Sequence, residues 1–528
     1  MNKTYPIDIF GIKRIGIKKW LSHYYIPVSS SEYQNIYNSI CSIYFSTINE
    51  FRNNEIIYYI SIANWNIVTR ISHNLVNILR LQRLREKGYK DIVSNKKEDL
   101  VDAINLYKFY LHSNNSPHVL DKLTRKERSK NAMRTIKYNL NLKIINKLSI
   151  KNIRAPFFLV GDGRQQKVLD YCKERKISPL HLSPLLFSKR NFSDQDLNTY
   201  LPYILELCNA FVEKVLKEFP LLTIHTCDSV KSEVEDFFKY SLIYFLQNVD
   251  SLNKIKTNKT LLATGLGNDI NRLFCSAWRY TGGKVVGFAH GYNYYREYFP
   301  GTIRVMSVVD QYVTTSEESA KDIQKATQDF SPLKENGVPI YIKRNHYYPL
   351  FNELQRAPKV KKIKKVMVIG FPVQHNAYYQ YTPAGYSYAH LLFEIQVLQL
   401  LKSEGYHTIY KPHPIGSDEI EDIFDGNVDE ILKERLEDVY HKADCLLFGE
   451  MGCSAFGYSM LTNKPLVLVN AGDHILQPEA FEMLKKRCCV VHAEERGGVI
   501  TFDDRDLKIA IESSLNNISY DIIYKYAF

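Results

Sequence analysis

Two short runs carry the residue types best suited to holding an anion: Lys411-Pro412-His413-Pro414 and, 35 residues further on, Gly449-Glu450-Met451-Gly452-Cys453-Ser454. In the first run two prolines fix the backbone beside a lysine and a histidine, so both potential cations are held in one place. In the second, Gly449 and Gly452 let backbone amides come close to a ligand and Ser454 adds a hydroxyl donor. Glu450 suits a bond to a ribose or base, or a cap on the helix that follows. This chemistry fits the phosphate of a nucleotide, which binds where helix N-termini present unpaired N–H groups and a favourable dipole.

Such groups work only if secondary structure brings them together. His407-Thr408-Ile409-Tyr410 reads as a strand ending in the first run. Asp444 to Phe448 reads as a buried strand leading into the second run, and Ala455 to Leu461 as the helix after it. The same alternation fills residues 364–515: strands at 366–370, 407–411, 444–448 and 465–469, and helices at about 387–403, 428–441, 454–462 and 504–515. A first set of strands lies at 155–160, 260–264 and 284–289. Five lysines in the seven positions Lys359–Lys365, just after Arg356-Ala357-Pro358, mark a linker between the two sets. From Ser31 to about Ser149 the pattern is mostly helical, with three- and four-residue apolar spacing in Ile67–Leu84 and Leu100–Leu111. The expected architecture is α/β: a helical N-terminal region (1–150) followed by two alternating α/β units, 151–357 and 358–528.

The order of these motifs resembles the C-terminal half of glycosyltransferases with the two-Rossmann B fold. It is most similar to the bacterial surface-polysaccharide group: capsule Kdo transferases, bacterial polysialyltransferases and CDP-glycerol polyol-phosphate transferases. The resemblance spans about 364–515 and, more loosely, 260–315, and it implies that 151–357 is a Rossmann-like acceptor domain and 358–528 a Rossmann-like donor domain, facing across a cleft. It implies that His413 and Pro414 contact the donor nucleotide, with Lys411 beside them, and that the Gly452–Ser454 turn holds its phosphate. Polyol-phosphate transferases pair serines at that turn, whereas Cys453 precedes Ser454 here.

Transfer from a nucleotide donor also requires a base for the acceptor hydroxyl, and three residues stand at predicted strand ends of the first domain. His290, in His290-Gly291 after the strand ending at Ala289, resembles the His-Gly turn of the polyol-phosphate and capsule transferases; the alternative is a loop histidine bonded to a carbonyl. Asp162, in Gly161-Asp162-Gly163-Arg164, resembles the acidic-acidic-Gly motif of the polysialyltransferases with glycine at its first position; the alternative is a turn aspartate. Asp269 follows Thr264-Gly265-Leu266-Gly267-Asn268 and either lines the acceptor pocket or caps a helix. Gln374-His375 borders the cleft or a surface loop.

Composition narrows the rest. The chain has 528 residues, 45% hydrophobic and 24% charged, as in an ordinary folded protein of two or three domains. The net charge is +12, and residues 121–154 hold eleven Lys/Arg against two acids. That stretch suits an anionic membrane surface or glycan, or else a solvated helix face. No zinc-finger spacing or stacking module accompanies it, so nucleic acid is not expected as a partner. Residues 1–20 lack the apolar core of a secretion signal and no apolar run reaches about 18 residues, pointing to the cytoplasm, with peripheral contact at the inner face of the plasma membrane. Nine cysteines without Cys-x-x-Cys spacing read as reduced thiols. No metal ligand set is evident; Asp504-Arg505-Asp506 reads as the acidic first turn of a helix. The expected partners are a nucleotide-sugar donor and a glycan or glycolipid acceptor, with no cofactor. A nucleotide-sugar 2-epimerase and a non-catalytic scaffold of envelope assembly are the competing readings.

Overall fold

A computed structural model of the chain describes residues 3–93, 157–182, 194–253, 259–291, 305–371, 384–471 and 476–528, apart from short stretches within those ranges. Strands β1 (Lys3–Pro6) and β2 (Tyr89–Val93) pair in parallel, a long-range contact in a region that reads as helical. The first large sheet contains β3 (Phe157–Val160), β4 (Leu180–Leu182), β5 (Thr260–Ala263), β6 (Lys284–Phe288), β7 (Gln311–Thr314) and β8 (Val338–Tyr341). All are parallel, in the order β4-β3-β5-β6-β7-β8. The second contains β9 (Lys365–Ile369), β10 (His407–Lys411), β11 (Glu430–Ile431), β12 (Cys445–Phe448), β13 (Leu466–Asn470), β14 (Cys489–Arg496) and β15 (Val499–Phe502), in the order β11-β10-β9-β12-β13-β14-β15. Among the described strands of this sheet, only the β14–β15 pair is antiparallel.

The strands are short apolar runs because helices cover both faces of each sheet. In β3, Phe158 and Val160 enter one core while Leu159 enters another with Val168, Leu262 and Phe288. In the second sheet Val366 and Val368 face one side, Met367 and Ile369 the other.

The N-terminal helices join these cores. Ser30–Glu50, Glu55–Ala63 and Asn66–Glu86 contribute Tyr44, Ile57 and Ile71, and the N-cap Trp65 of the third joins them, in the core that also holds Phe158, Phe237 and Trp278. Ile12 and Trp20, from helices Ile9–Ile15 and Ile17–Ser22, instead enter a core of the second sheet. Buried polar groups fix the first docking. Arg272, fully buried, donates to the carbonyls of Ala63 and Ile62 (both 2.6 Å) and to Ser307 Oγ (3.1 Å), covering carbonyls at the end of Glu55–Ala63.

Ser29 and Glu32 form a capping box at the start of Ser30–Glu50, and Arg83 grips Glu32 with both guanidinium arms (2.7 and 3.0 Å). The Arg83 hydrogen bonds lead the forces that draw the Glu32 carboxyl from 4.5 to about 2. A depressed carboxyl stabilises the fold above its ordinary value and loses that contribution as pH falls from about 4.5 through about 2. Because both side chains are partly exposed, Glu32→Gln should cost about 1 kcal/mol or less at pH 7. Denaturation midpoints of the two proteins should converge as pH falls through that window.

Two features differ from the sequence expectation or lie beyond it. Residues 428–441 are not a helix: Gly426 turns the chain at φ +79°, β11 pairs beside Ile409 and Tyr410, and only single turns follow. Asp429 explains the difference, since its carboxylate accepts from the Thr408 N–H (2.8 Å) and hydroxyl (2.9 Å) and holds the segment as an edge strand. The expected helix at 100–111 and the basic stretch at 121–154 lie outside the described residues. The acidic turn is as expected: Asp503 caps Asp504–Ser513 through the N–H groups of Arg505 and Asp506.

Polar bonds also cross between the two sheets. The connecting helix Tyr347–Leu354 is flanked by Asn345, which donates to Thr315 O and Ala527 O, and Gln355, which donates to Leu461 O. The closing helix Asp521–Tyr526 returns to the first sheet's side, where Thr315 and Ser319 hydroxyls donate to Tyr526 O (2.9 and 3.0 Å). Among the described residues, no helix is long and apolar enough to cross a membrane.

Candidate functional site

The site residues of the second sheet lie at the carboxyl ends of β10 and β12, the strands on either side of β9. The chain leaves β9 to build β10 and β11 on one side, then crosses to build β12 on the other. The crevice beside β9 is therefore a topological switch point, where open parallel sheets bind ligands. Lys411 ends β10 and runs into Pro412, His413 and Pro414; His413 is half-buried and Pro414 exposed. Glu450 and Gly452, both half-buried, lie in the turn after β12, and Ser454 starts the helix Ser454–Leu461. Cys453 is the N-cap of that helix and gives it no side-chain hydrogen bond.

The two ends of that helix are treated differently. At its C-terminus the buried Arg487 donates to the carbonyls of Ser459, Met460, Thr462 and Lys464. Such a cation offsets the negative end of the dipole and leaves the positive end, at Ser454, facing the crevice side of the sheet.

Two buried groups brace the floor. Lys411 is 4% exposed and its ammonium donates to Pro412 O (2.9 Å); burial lowers its pKa against the raising pull of Glu437 and Glu434. Glu394, from helix Ala384–Ser403, accepts from the Phe371 N–H (2.5 Å) and the Tyr410 hydroxyl (2.7 Å), tying the chain as it leaves β9 to the end of β10. Burial pushes the Glu394 carboxyl up to about 8 although both donors oppose the rise. Phe371 stacks on His390 at 4.3 Å, and burial drives that imidazole down to about 3, so it is neutral at physiological pH.

The first sheet brings one turn onto this site. Gly291 follows β6 with φ +58°, and a Cβ there would lie 2.1 Å from Ser454 Oγ. The turn after β6 and the helix start after β12 are thus in direct contact, with room for no side chain at 291. The Gly291 carbonyl accepts from the Lys167 ammonium (2.6 Å) and the Tyr347 hydroxyl (3.1 Å). His290, the residue between Ala289 and Gly291, lies outside the described residues, as do Gln374 and His375.

The two carboxylates of the first sheet have different settings. Asp162 is exposed in the turn after β3, and its carbonyl accepts from Thr264 Oγ1 (3.3 Å) at the end of neighbouring β5. Asp269 is 1% exposed: its carboxylate accepts from Asn66 Nδ2 (2.5 Å) and forms an ion pair with Arg70. Asn268, not Asp269, caps the helix Asp269–Tyr280. Asp269 therefore binds the N-terminal helices to the first sheet, and no described contact joins it to the Gly291–Ser454 junction.

Three groups at the junction escape sequence reading. Lys167 and Asp170 share the helix Gln166–Arg175, and Asp170 accepts from both the backbone N–H (2.9 Å) and Nδ1 (2.8 Å) of His346, next to Tyr347. Burial raises the Asp170 pKa, but the His346 and Gln166 hydrogen bonds outweigh it and leave the carboxyl below its usual value. Their neighbours in sequence carry no signal of this use.

The chain matches no known protein-family model, and no curated protein matches it.

Proposed function

We propose that this chain is a glycosyltransferase of the B type, with two Rossmann-like units facing a cleft, that transfers a sugar from a nucleotide-activated donor to a growing surface polysaccharide or glycolipid. A CMP-linked sugar acid is the donor we favour, on the motif resemblance. The observation that carries the reading is the contact of Gly291 with Ser454: the turn after β6 of one parallel sheet meets the helix start after β12 of the other. Donor and acceptor groups drawn from two sheets are what a transfer between two bound substrates requires.

In this reading the donor phosphate lies at the amides of 452–454, with His413 and Lys411 beside it and Pro412 and Pro414 fixing their backbone. Glu450 is placed to meet the ribose or base. The acceptor hydroxyl attacks the anomeric carbon and gives its proton to a base of the first sheet, His290 or Asp162. The anomeric C–O bond to phosphate breaks, and helix amides and the two cations meet the charge on the departing nucleotide. Asp269 is left out of the chemistry because its carboxylate is occupied by Arg70 and Asn66. The enzyme would act at the inner face of the plasma membrane, where such donors and lipid-linked acceptors meet.

The test is donor cleavage or transfer by purified protein across CMP-, CDP-, UDP- and GDP-linked sugars. Nucleotide release from one class, unchanged in excess EDTA, is expected; failure to bind any of the four defeats the reading.

A further inference from the structure

Lys167 is a cation in a costly place. It is 4% exposed, and it sits in the first turn of the helix Gln166–Arg175, where the helix dipole already repels positive charge. Among the described residues no carboxylate pairs with it; the nearest acid on its own helix, Asp170, is taken by His346 and Gln166. Burial alone lowers its pKa, to about 7. A methionine would fill the same space without desolvating a charge.

What the lysine does hold is specific. Its ammonium donates to Ala289 O (3.2 Å) and Gly291 O (2.6 Å), the carbonyls on either side of position 290. Tyr347, from the helix that connects the two sheets, adds a second donor to Gly291 O, and its ring lies 5.9 Å from the ammonium. Gly291 also rests against Ser454. Ala289 and Gly291 are thereby held by the lysine, and Gly291 meets the helix start as well.

We infer that Lys167 is a positioning residue that, with Tyr347, clamps Ala289 and Gly291 at the Ser454 helix start and so sets the spacing between the two halves of the site. The inference rests on the transferase reading for its consequence in turnover, but the clamp itself is a property of the fold. Losing a charged donor to two carbonyls frees the turn locally while the sheet beneath it stays formed.

Lys167→Met separates the cases. Hydrogen exchange of the Phe288–Gly291 and Gly452–Phe456 peptides should accelerate about tenfold or more, with β5 peptides unchanged. With a donor that the native protein turns over, kcat should fall about 100-fold while KM for the donor stays within about threefold, because spacing and not donor binding is lost. Tyr347→Phe, which removes only the second hydroxyl donor, should move both readouts the same way by less, and it serves if Lys167→Met does not fold. Unchanged exchange in those peptides overturns the clamp whatever the activity. Unchanged kcat in an active enzyme overturns its role in the reaction. A native protein with no turnover on any donor removes the transferase reading and leaves the clamp to be decided by exchange.

Discussion

Gly291→Ala should lower donor turnover by about 100-fold, the penalty expected when reacting groups are displaced by about 1 Å. The added methyl would lie 2.1 Å from Ser454 Oγ and 3.2 Å from Ser454 Cβ, where non-bonded carbon contacts favour about 3.5–4.0 Å. Something must shift, and the Gly291 side cannot give easily because Lys167 and Tyr347 hold its carbonyl. A left-handed conformation at φ +58° adds about 1–2 kcal/mol for any residue with a Cβ. Gly265→Ala supplies the control: it has the same sign of φ, +65°, but its Cβ would meet only Asn271 Nδ2, at 3.3 Å. It shares the backbone strain without the collision. Gly291→Ala combined with Ser454→Gly should recover thermal stability by removing the opposing side chain. Native turnover in Gly291→Ala would show that the contact with Ser454 has no part in the chemistry.

Asp269→Ala should destabilise the first sheet's unit by about 3–5 kcal/mol, the cost of breaking a buried charge pair by removing one partner. Arg70 would lose the Asp269 carboxylate and Asn66 an acceptor, while the Asn66 bond to Gly267 O at 3.0 Å stays. Urea denaturation followed by tryptophan fluorescence reads the loss, since Trp65 and Trp278 both lie in the affected core. Turnover per folded molecule should be retained at low temperature. Lost turnover with unchanged stability would return Asp269 to the list of candidate bases.

Much of the fold was legible because it is local. Val366-Met367-Val368-Ile369 and Cys445-Leu446-Leu447-Phe448 are apolar runs that only doubly covered strands present, and Ser454–Leu461 is a helix where its pattern places one. The placement of Lys411–Pro414 and Gly449–Ser454 was legible for the same reason: each run follows the end of such a strand. What escaped depends on distant partners. Residues 428–441 have helical spacing, yet Asp429 meets Thr408 and the segment becomes a strand edge. Asp269 looks like a loop acid until Arg70, 199 residues away, is seen against it. Lys167 looks like an ordinary surface lysine of an amphipathic helix, and nothing in its neighbours signals that its ammonium turns inward to Ala289 and Gly291.

The central claim is that the crevice beside β9 binds a nucleotide phosphate next to the Gly291 turn. Hydrogen exchange of the full chain with and without CMP, CDP, UDP and GDP tests it most directly. The account predicts that one nucleotide protects the peptides covering 411–414 and 449–456, and that Ser454→Ala and His413→Ala weaken this protection. Protection confined to other parts of the chain, or none with any of the four, would contradict it.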